Sequence, residues 1–196
     1  MFVRLESPLP QLPRWPGTAL RYRFGKTVDG RFHGISYFIV DGEIEAALLA
    51  LLPDALQPRF ICSYMVANHH DIPPHIDNGI QVSINCYVVT ADATTSFYRF
   101  RQPRPAVEHL DNNEAGTAAG LYRREDLDVV ASFHAQPQEL WVLDVTQPHD
   151  VVSAPGQGAR EAYCLQSRTV GFAQLLAFAQ QSEGAKGAEG AEGAPD

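Results

Sequence analysis

The segment His69-His70-Asp71-Ile72-Pro73-Pro74-His75-Ile76-Asp77-Asn78-Gly79 carries an imidazole and a carboxylate two positions apart. On extended backbone, residues i and i+2 leave the same face, so His75 and Asp77 can meet one metal ion. Pro73 and Pro74 favour an extended approach to His75. One imidazole and one carboxylate leave an ion unsaturated, and His149 is the candidate for a second imidazole. It follows the apolar run Glu139-Leu-Trp-Val-Leu-Asp-Val145 after a short turn, Thr146-Gln-Pro148. Two histidines and a carboxylate form the facial donor set of a non-haem iron(II) centre, which keeps coordination positions open. Eleven residues on, Arg160 opens another strand-like run, and its guanidinium can take a carboxylate through two parallel hydrogen bonds. Gly156 and Gly158 predict a tight hairpin that returns Arg160 beside the strand carrying His149.

His69 and His70 compete as ligands. Adjacent residues on a strand face opposite ways, so only one of them would join His75. Arg168 competes with Arg160 for an anion. His33, His109 and His134 are expected at surface or structural positions.

These residues need a scaffold of strands. The runs 59–66, 81–89, 94–100, 139–145 and 161–170 are rich in β-branched, aromatic and apolar residues. Two helices are predicted, over 43–56 and 170–181, the first with an acidic start. Many short strands with few helices predict a mainly β fold buttressed by helices, a sandwich or barrel. Within 81–89, Val82, Ile84, Cys86 and Val88 share one face, while Ser83, Asn85 and Tyr87 share the other. A polar face of that kind suits a strand lining a wet pocket inside a barrel.

The chain has 196 residues, 45% hydrophobic and 19% charged, enough apolar sequence for one core. Residues 1–183 are read as a single domain. The repeat from Gly184 onward, GAKGAEGAEGAPD, is read as a disordered tail over 184–196. A net charge of −8 argues against non-specific nucleic-acid binding. No run reaches the ~20 apolar residues of a membrane-spanning helix, and no signal peptide is evident. Cys62, Cys86 and Cys164 sit in apolar strand-like runs and are expected as buried reduced thiols, consistent with the cytoplasm.

The order His75-x-Asp77, then Gln147-Pro-His149-Asp-Val151, then Gly158-x-Arg160 resembles the Fe(II)/2-oxoglutarate-dependent dioxygenase superfamily. The match covers roughly residues 59–168 and includes the turn and strand 132–144 that precede the distal histidine. The resemblance implies a double-stranded β-helix, also called a jelly roll. It implies Fe(II) held by His75, Asp77 and His149, 2-oxoglutarate as co-substrate held by Arg160, and O2 as oxidant. Hydroxylation with release of succinate and CO2 is the implied reaction. Halogenating relatives replace the carboxylate with Ala or Gly, and Asp77 points away from them. Several relatives place a serine two residues after the arginine, where this chain has Ala162. Tyr64 and Tyr87 are the candidates for the missing hydroxyl, with Asn85 on the pocket face beside Tyr87.

The expected substrate is a small molecule, an amino acid or a peptide side chain. Arg99, Arg101, Arg104, Arg123 and Arg124 cluster around the segment 101–121 and raise the expectation of an anionic substrate. That segment reads as a loop long enough to close over the metal as a lid. Two other readings stay open: a cupin-type metal enzyme that does not use 2-oxoglutarate, and a non-catalytic jelly-roll binding module.

Overall fold

Alternation along residues 82–89 places Val82, Ile84 and Cys86 in one apolar cluster, and Ser83, Asn85 and Tyr87 toward an interior cavity. The same period governs each strand that touches the site. The structure, a computed structural model, describes residues 1–6, 11–14, 19–28, 31–103, 107–112 and 117–178. In chain order the elements are β1 (Phe2–Leu5), β2 (Leu20–Val28), β3 (Arg31–Phe38), helix α1 (Gly42–Leu49), β4 (Ile61–Ala67), β5 (Asp71–Asn78) and β6 (Val82–Val89). They continue as β7 (Ala93–Phe100), β8 (Glu108–Asn112), β9 (Thr117–Leu121), β10 (Leu127–His134), β11 (Leu140–Leu143), β12 (His149–Ser153) and β13 (Arg160–Ser167). A further helical stretch covers residues 172–178. The expected continuation of that helix to Gln181, and the tail 184–196, lie outside the described residues.

Among the described residues the strands form two antiparallel sheets. One has the order β1-β11-β6-β13-β4-β3-β2, the other β10-β7-β12-β5-β9-β8. Neighbours in each sheet are mostly distant in sequence, as in a jelly roll built from crossovers between two sheets. The fold is therefore mainly β with flanking helices, of the double-stranded β-helix type.

The seven-stranded sheet buries both faces. On its outer face Cys62, Tyr64, Ile84, Tyr163 and Leu165 pack against Leu48, Leu52, Leu56, Val170 and Leu175 of the helical buttress. On its inner face Met65, Tyr87, Ala162 and Cys164 meet Phe97 and Phe133 of the other sheet. All three cysteines are free and buried, as expected. Helix α1 starts on Asp41, whose carboxylate accepts the Glu43 amide at 2.9 Å. It stops at Leu49, short of the expected Leu56. Pro53 has no amide hydrogen, and its ring opposes the carbonyl four residues back, at Leu49.

Two hairpins escaped the sequence reading. Strands β2 and β3 pair closely at Gly25 and Gly34, and a Cβ on Gly34 would fall 2.0 Å from the Phe24 carbonyl oxygen. The Asp29-Gly30 pair between two alternating runs was the available sequence signal. The expected lid, residues 101–121, contains a second hairpin, β8–β9, and β9 extends the six-stranded sheet by pairing with β5. Among the described residues no helix is long and apolar enough to cross a membrane.

Candidate metal centre

Strand β5 places His75 and Asp77 on one face, and β12 pairs antiparallel with it so that His149 stands directly opposite His75. The two imidazole centroids are 4.3 Å apart. One ligand atom from each of His75, Asp77 and His149 lies within 4.8 Å of the other two. The His75 Nε2 to Asp77 Oδ1 distance is 3.7 Å. A register shift in β12 just after His149 breaks the regular ladder beside these donors.

The backbone sets the tautomer of both rings. His75 Nδ1 lies 2.8 Å from the Pro73 carbonyl oxygen, and His149 Nδ1 lies 2.9 Å from that of Gln147. A carbonyl only accepts, so each Nδ1 carries the proton and each Nε2 keeps its lone pair for a metal. Burial, and then the neighbouring His75, holds the His149 imidazole well below its ordinary range, so it is neutral at physiological pH. The Phe97 ring stacks on it at 5.4 Å. Two imidazole nitrogens and one carboxylate are donors suited to a divalent transition metal.

Asp77 responds to the same burial in the opposite sense: it is raised from its ordinary carboxylate value, with the adjacent His75 opposing the shift. A raised folded-state pKa means that ionisation costs stability as pH rises above the unfolded value of about 3.9. Asp77→Asn is therefore expected to abolish tight metal binding yet stabilise the metal-free protein. Its advantage over wild type should vanish in acid and grow as pH rises above about 4. Thermal unfolding of both metal-free proteins from pH 3.5 to 7.5 checks this. Equal pH dependence in the two would remove the buried charge as the cause.

Arg160 reaches the same cavity from the other sheet. Gly156 does adopt a positive φ, 82°, in the preceding turn. The expected hairpin does not form, because β12 pairs with β5 and β7 whereas β13 pairs with β4 and β6. The connection crosses between sheets, and the Arg160 side chain then spans the interior to Thr95 on β7. Its Nη1 donates to Thr95 Oγ1 at 2.9 Å, and its Cζ lies 4.2 Å from the Tyr87 ring centroid. Arg160 is 3% exposed, and its Nε and Nη2 have no hydrogen-bond partner among the described residues.

The interior cavity, about 50 Å³, is bordered by His75, Asp77, His149, Arg160, Tyr87 and Asn85. Ser83 donates to Asn85 Oδ1 at 2.7 Å, and Asn85 Nδ2 donates to the Tyr87 hydroxyl at 3.3 Å. The structure thus brings together every proposed site residue except Tyr64. That tyrosine points to the outer face of its sheet, where it packs on Tyr163 and donates to Glu161. The cause is strand period: on β4, Cys62 and Tyr64 share the outer face, while Met65 faces inward. The hydroxyl beside the guanidinium is Thr95, which the sequence reading did not single out. Alternation with the inward Phe97 on β7 was the signal that marked it.

Tyr64 instead belongs to a buried structural network. Burial pushes the Glu161 carboxyl up, but hydrogen bonds from Arg14 and Tyr64 outweigh this and leave it below the usual carboxylate range. Tyr64→Phe is expected to lower stability by about 1–2 kcal/mol without changing the affinity for any ligand of the interior cavity. A tenfold loss of such affinity would return Tyr64 to the site.

The rival ligands stand outside the donor set, with His69 on the lining of the cleft that His75 and Asp77 also border. His69 and His70 stack on each other at 4.6 Å, and His69 Nδ1 engages the backbone of Asp71. His134 is exposed and meets Thr94. Arg168 is exposed beyond the end of β13. A larger cleft of about 630 Å³ opens on the other side of His75 and Asp77. Of the clustered arginines among the described residues, only Arg123 lines it. Arg99 and Arg101 pair with Asp128, Arg123 with Glu125, and Arg124 with Asp71 and the buried Asp150; Arg104 lies outside the described residues.

No protein-family model matches the sequence, and no curated protein does. Among solved structures the chain is similar to the X-ray structure of E. coli ycfD, with a TM-score of 0.50 and 12% identity, over 90% of this chain and 52% of that one. Vicilin from hazelnut, Corylus avellana, gives a TM-score of 0.40 and 8% identity, over 80% of this chain and 36% of that one. The chain therefore spans about half the length of ycfD, and at this identity the likeness is one of fold. What the geometry and the likeness establish together is a cupin-like jelly roll with a His75–Asp77–His149 candidate metal centre in its interior.

Proposed function

We propose that this chain is an Fe(II)- and 2-oxoglutarate-dependent oxygenase that hydroxylates a small molecule, an amino acid or a peptide side chain. The observation that carries this reading is Arg160, a buried guanidinium with Nε and Nη2 unpartnered in the cavity that also holds the three metal donors. Burying unpaired charged donors is costly unless an anion answers them. A planar guanidinium fork fits a carboxylate through paired hydrogen bonds. A dicarboxylate with a keto acid at one end meets both demands, one end at the metal and the other at Arg160.

His75, Asp77 and His149 would hold the iron. With O2 and 2-oxoglutarate, iron supplies an oxidant able to hydroxylate a C–H bond, with succinate and CO2 released. The protein's share is positioning. Backbone carbonyls fix both imidazole tautomers, Thr95 and the Tyr87 ring hold the guanidinium in place, and Phe97 stacks against the His149 ring.

Anaerobic titration of the metal-free protein with Fe(II) and 2-oxoglutarate tests this, read by the visible charge-transfer band of the chelate. The band is expected in wild type and absent without either component. The narrowness of the interior cavity favours one second reading, a cupin-type metal enzyme that works without 2-oxoglutarate. Tight Fe(II) binding with no band, and turnover independent of 2-oxoglutarate, would establish that alternative.

A further inference from the structure

The large cleft beside the metal donors has two walls of different origin. One comes from the β2–β3 hairpin at the edge of the seven-stranded sheet and presents Phe24, Ile35 and Tyr37. The other comes from the end of β9 and the flanks of its hairpin and presents Val107, Leu121 and Tyr122. His75 and Asp77 lie at the meeting point of this cleft and the interior cavity, since both border the two spaces.

The hairpins are shaped to stand close to their surroundings. The glycine at position 34 admits the near approach of β2 and β3. A Cβ on Gly120 would meet Val107 and the Tyr122 hydroxyl at 3.1 and 3.2 Å, so glycine there lets those two side chains fold over β9. The Tyr37 wall is braced from behind. Tyr22 packs on Tyr37, the rings tilted and their centroids 4.7 Å apart, and the Tyr22 hydroxyl donates to Gln166 at 3.0 Å. An apolar cleft of about 630 Å³ whose walls are held in this way matches the size and character of pockets that enclose a bulky ligand.

Its charges are unevenly answered. Asp71 and Arg123, both on the lining, are paired with Arg124 and Glu125. Glu108, also on the lining, has no ion-pair partner among the described residues. An incoming carboxylate or phosphate would meet the negative charge of Glu108, exposed on a lining that also carries His69.

Resting on the oxygenase reading, we infer that the substrate presents a bulky apolar or aromatic group to this cleft and is neutral or positively charged there, not anionic. Apolar walls contribute the affinity, Glu108 contributes the charge selection, and the position of His75 and Asp77 at the cleft floor brings the group to the metal.

Three fluorescent probes of one shape and different charge test this: 2-naphthol, 2-naphthylmethylammonium and 2-naphthoate. They are titrated into the full chain as purified and again after metal removal, so the result does not depend on iron chemistry. Saturable one-to-one binding is expected, with the cation bound at least as tightly as the neutral probe and the anion weakest. Val107→Asp should weaken 2-naphthol about tenfold, whereas Val129→Asp, an exposed position outside the cleft, should leave it unchanged. Glu108→Gln should bring the cation to the affinity of the neutral probe. Equal loss in both aspartate variants, no saturable binding, or tightest binding of 2-naphthoate would each overturn the inference. Failure of the charge-transfer titration alone would overturn the oxygenase reading and leave these binding results standing.

Discussion

His149→Ala is expected to eliminate tight ferrous binding, the 2-oxoglutarate charge-transfer band and succinate release together. Loss of a partner that merely orients a metal-bound histidine lowers affinity by about 10–100-fold, so removing one of three direct donors should cost about 100-fold or more. The variant should nevertheless fold. His149 is buried against Phe97 and His75, and its ring makes one hydrogen bond, to the Gln147 carbonyl. Truncation to alanine removes packing worth about 2–4 kcal/mol, so circular dichroism on the same samples separates misfolding from ligand loss. Isothermal titration with Fe(II) under nitrogen reads the affinity. A correctly folded variant that binds Fe(II) like wild type would exclude His149 from the centre.

The second large effect belongs to Arg160. Breaking a buried, hydrogen-bonded charge pair by truncating one member costs about 2–5 kcal/mol, which is roughly a 30- to 4,000-fold loss of 2-oxoglutarate affinity in Arg160→Met. Fe(II) affinity without co-substrate should stay near wild type, because no metal donor is touched. Stability is expected to move the other way. In the ligand-free protein this guanidinium has one hydrogen bond, to Thr95, and two unpartnered donors. An apolar side chain of similar length relieves that burden, so the melting temperature should hold or rise. Wild-type affinity for 2-oxoglutarate in the methionine variant would refute the assigned role. A large drop in melting temperature would instead make Arg160 a structural residue.

The two variants together probe how much of the site was legible in the chain. The donors were, because strand geometry alone puts His75 and Asp77 on one face, and strand β6 showed its period openly through Ser83, Asn85 and Tyr87. Strand β4 showed no such period. Its run Ile61–Ala67 is mostly apolar and buried on both faces, with Ser63 alone polar, so little local distinguished the outward Tyr64 from the inward Met65. The hairpin expected at Gly156 and Gly158 failed for a topological reason. Glycines permit a turn, but whether the next strand pairs with its predecessor or crosses to the opposite sheet depends on partners such as β4 and β6, remote in sequence. Strands β8 and β9 were hidden for a third reason. Glu-His-Leu-Asp-Asn and Thr-Ala-Ala-Gly-Leu have little β propensity of their own, and their extended form comes from pairing with each other and with β5.

The strand order also dictates when in the life of the chain a metal can be captured. Strand β5 is flanked by β9 and β12, and β13 inserts between β4 and β6. During synthesis His75 and Asp77 therefore emerge long before His149, and the sheet that orients them is incomplete until the last strands arrive. Closing loops of such length must precede the contacts that reward it, so folding is expected to be slow, in the range of high-contact-order β proteins. Until β12 and β13 dock, the nascent chain would offer a bidentate fragment to any passing ion, and no guanidinium to the proposed co-substrate. On the oxygenase reading, selective loading would be a property of the finished fold, and adding Fe(II) to a refolding reaction should raise the final yield of holoprotein without hastening its formation.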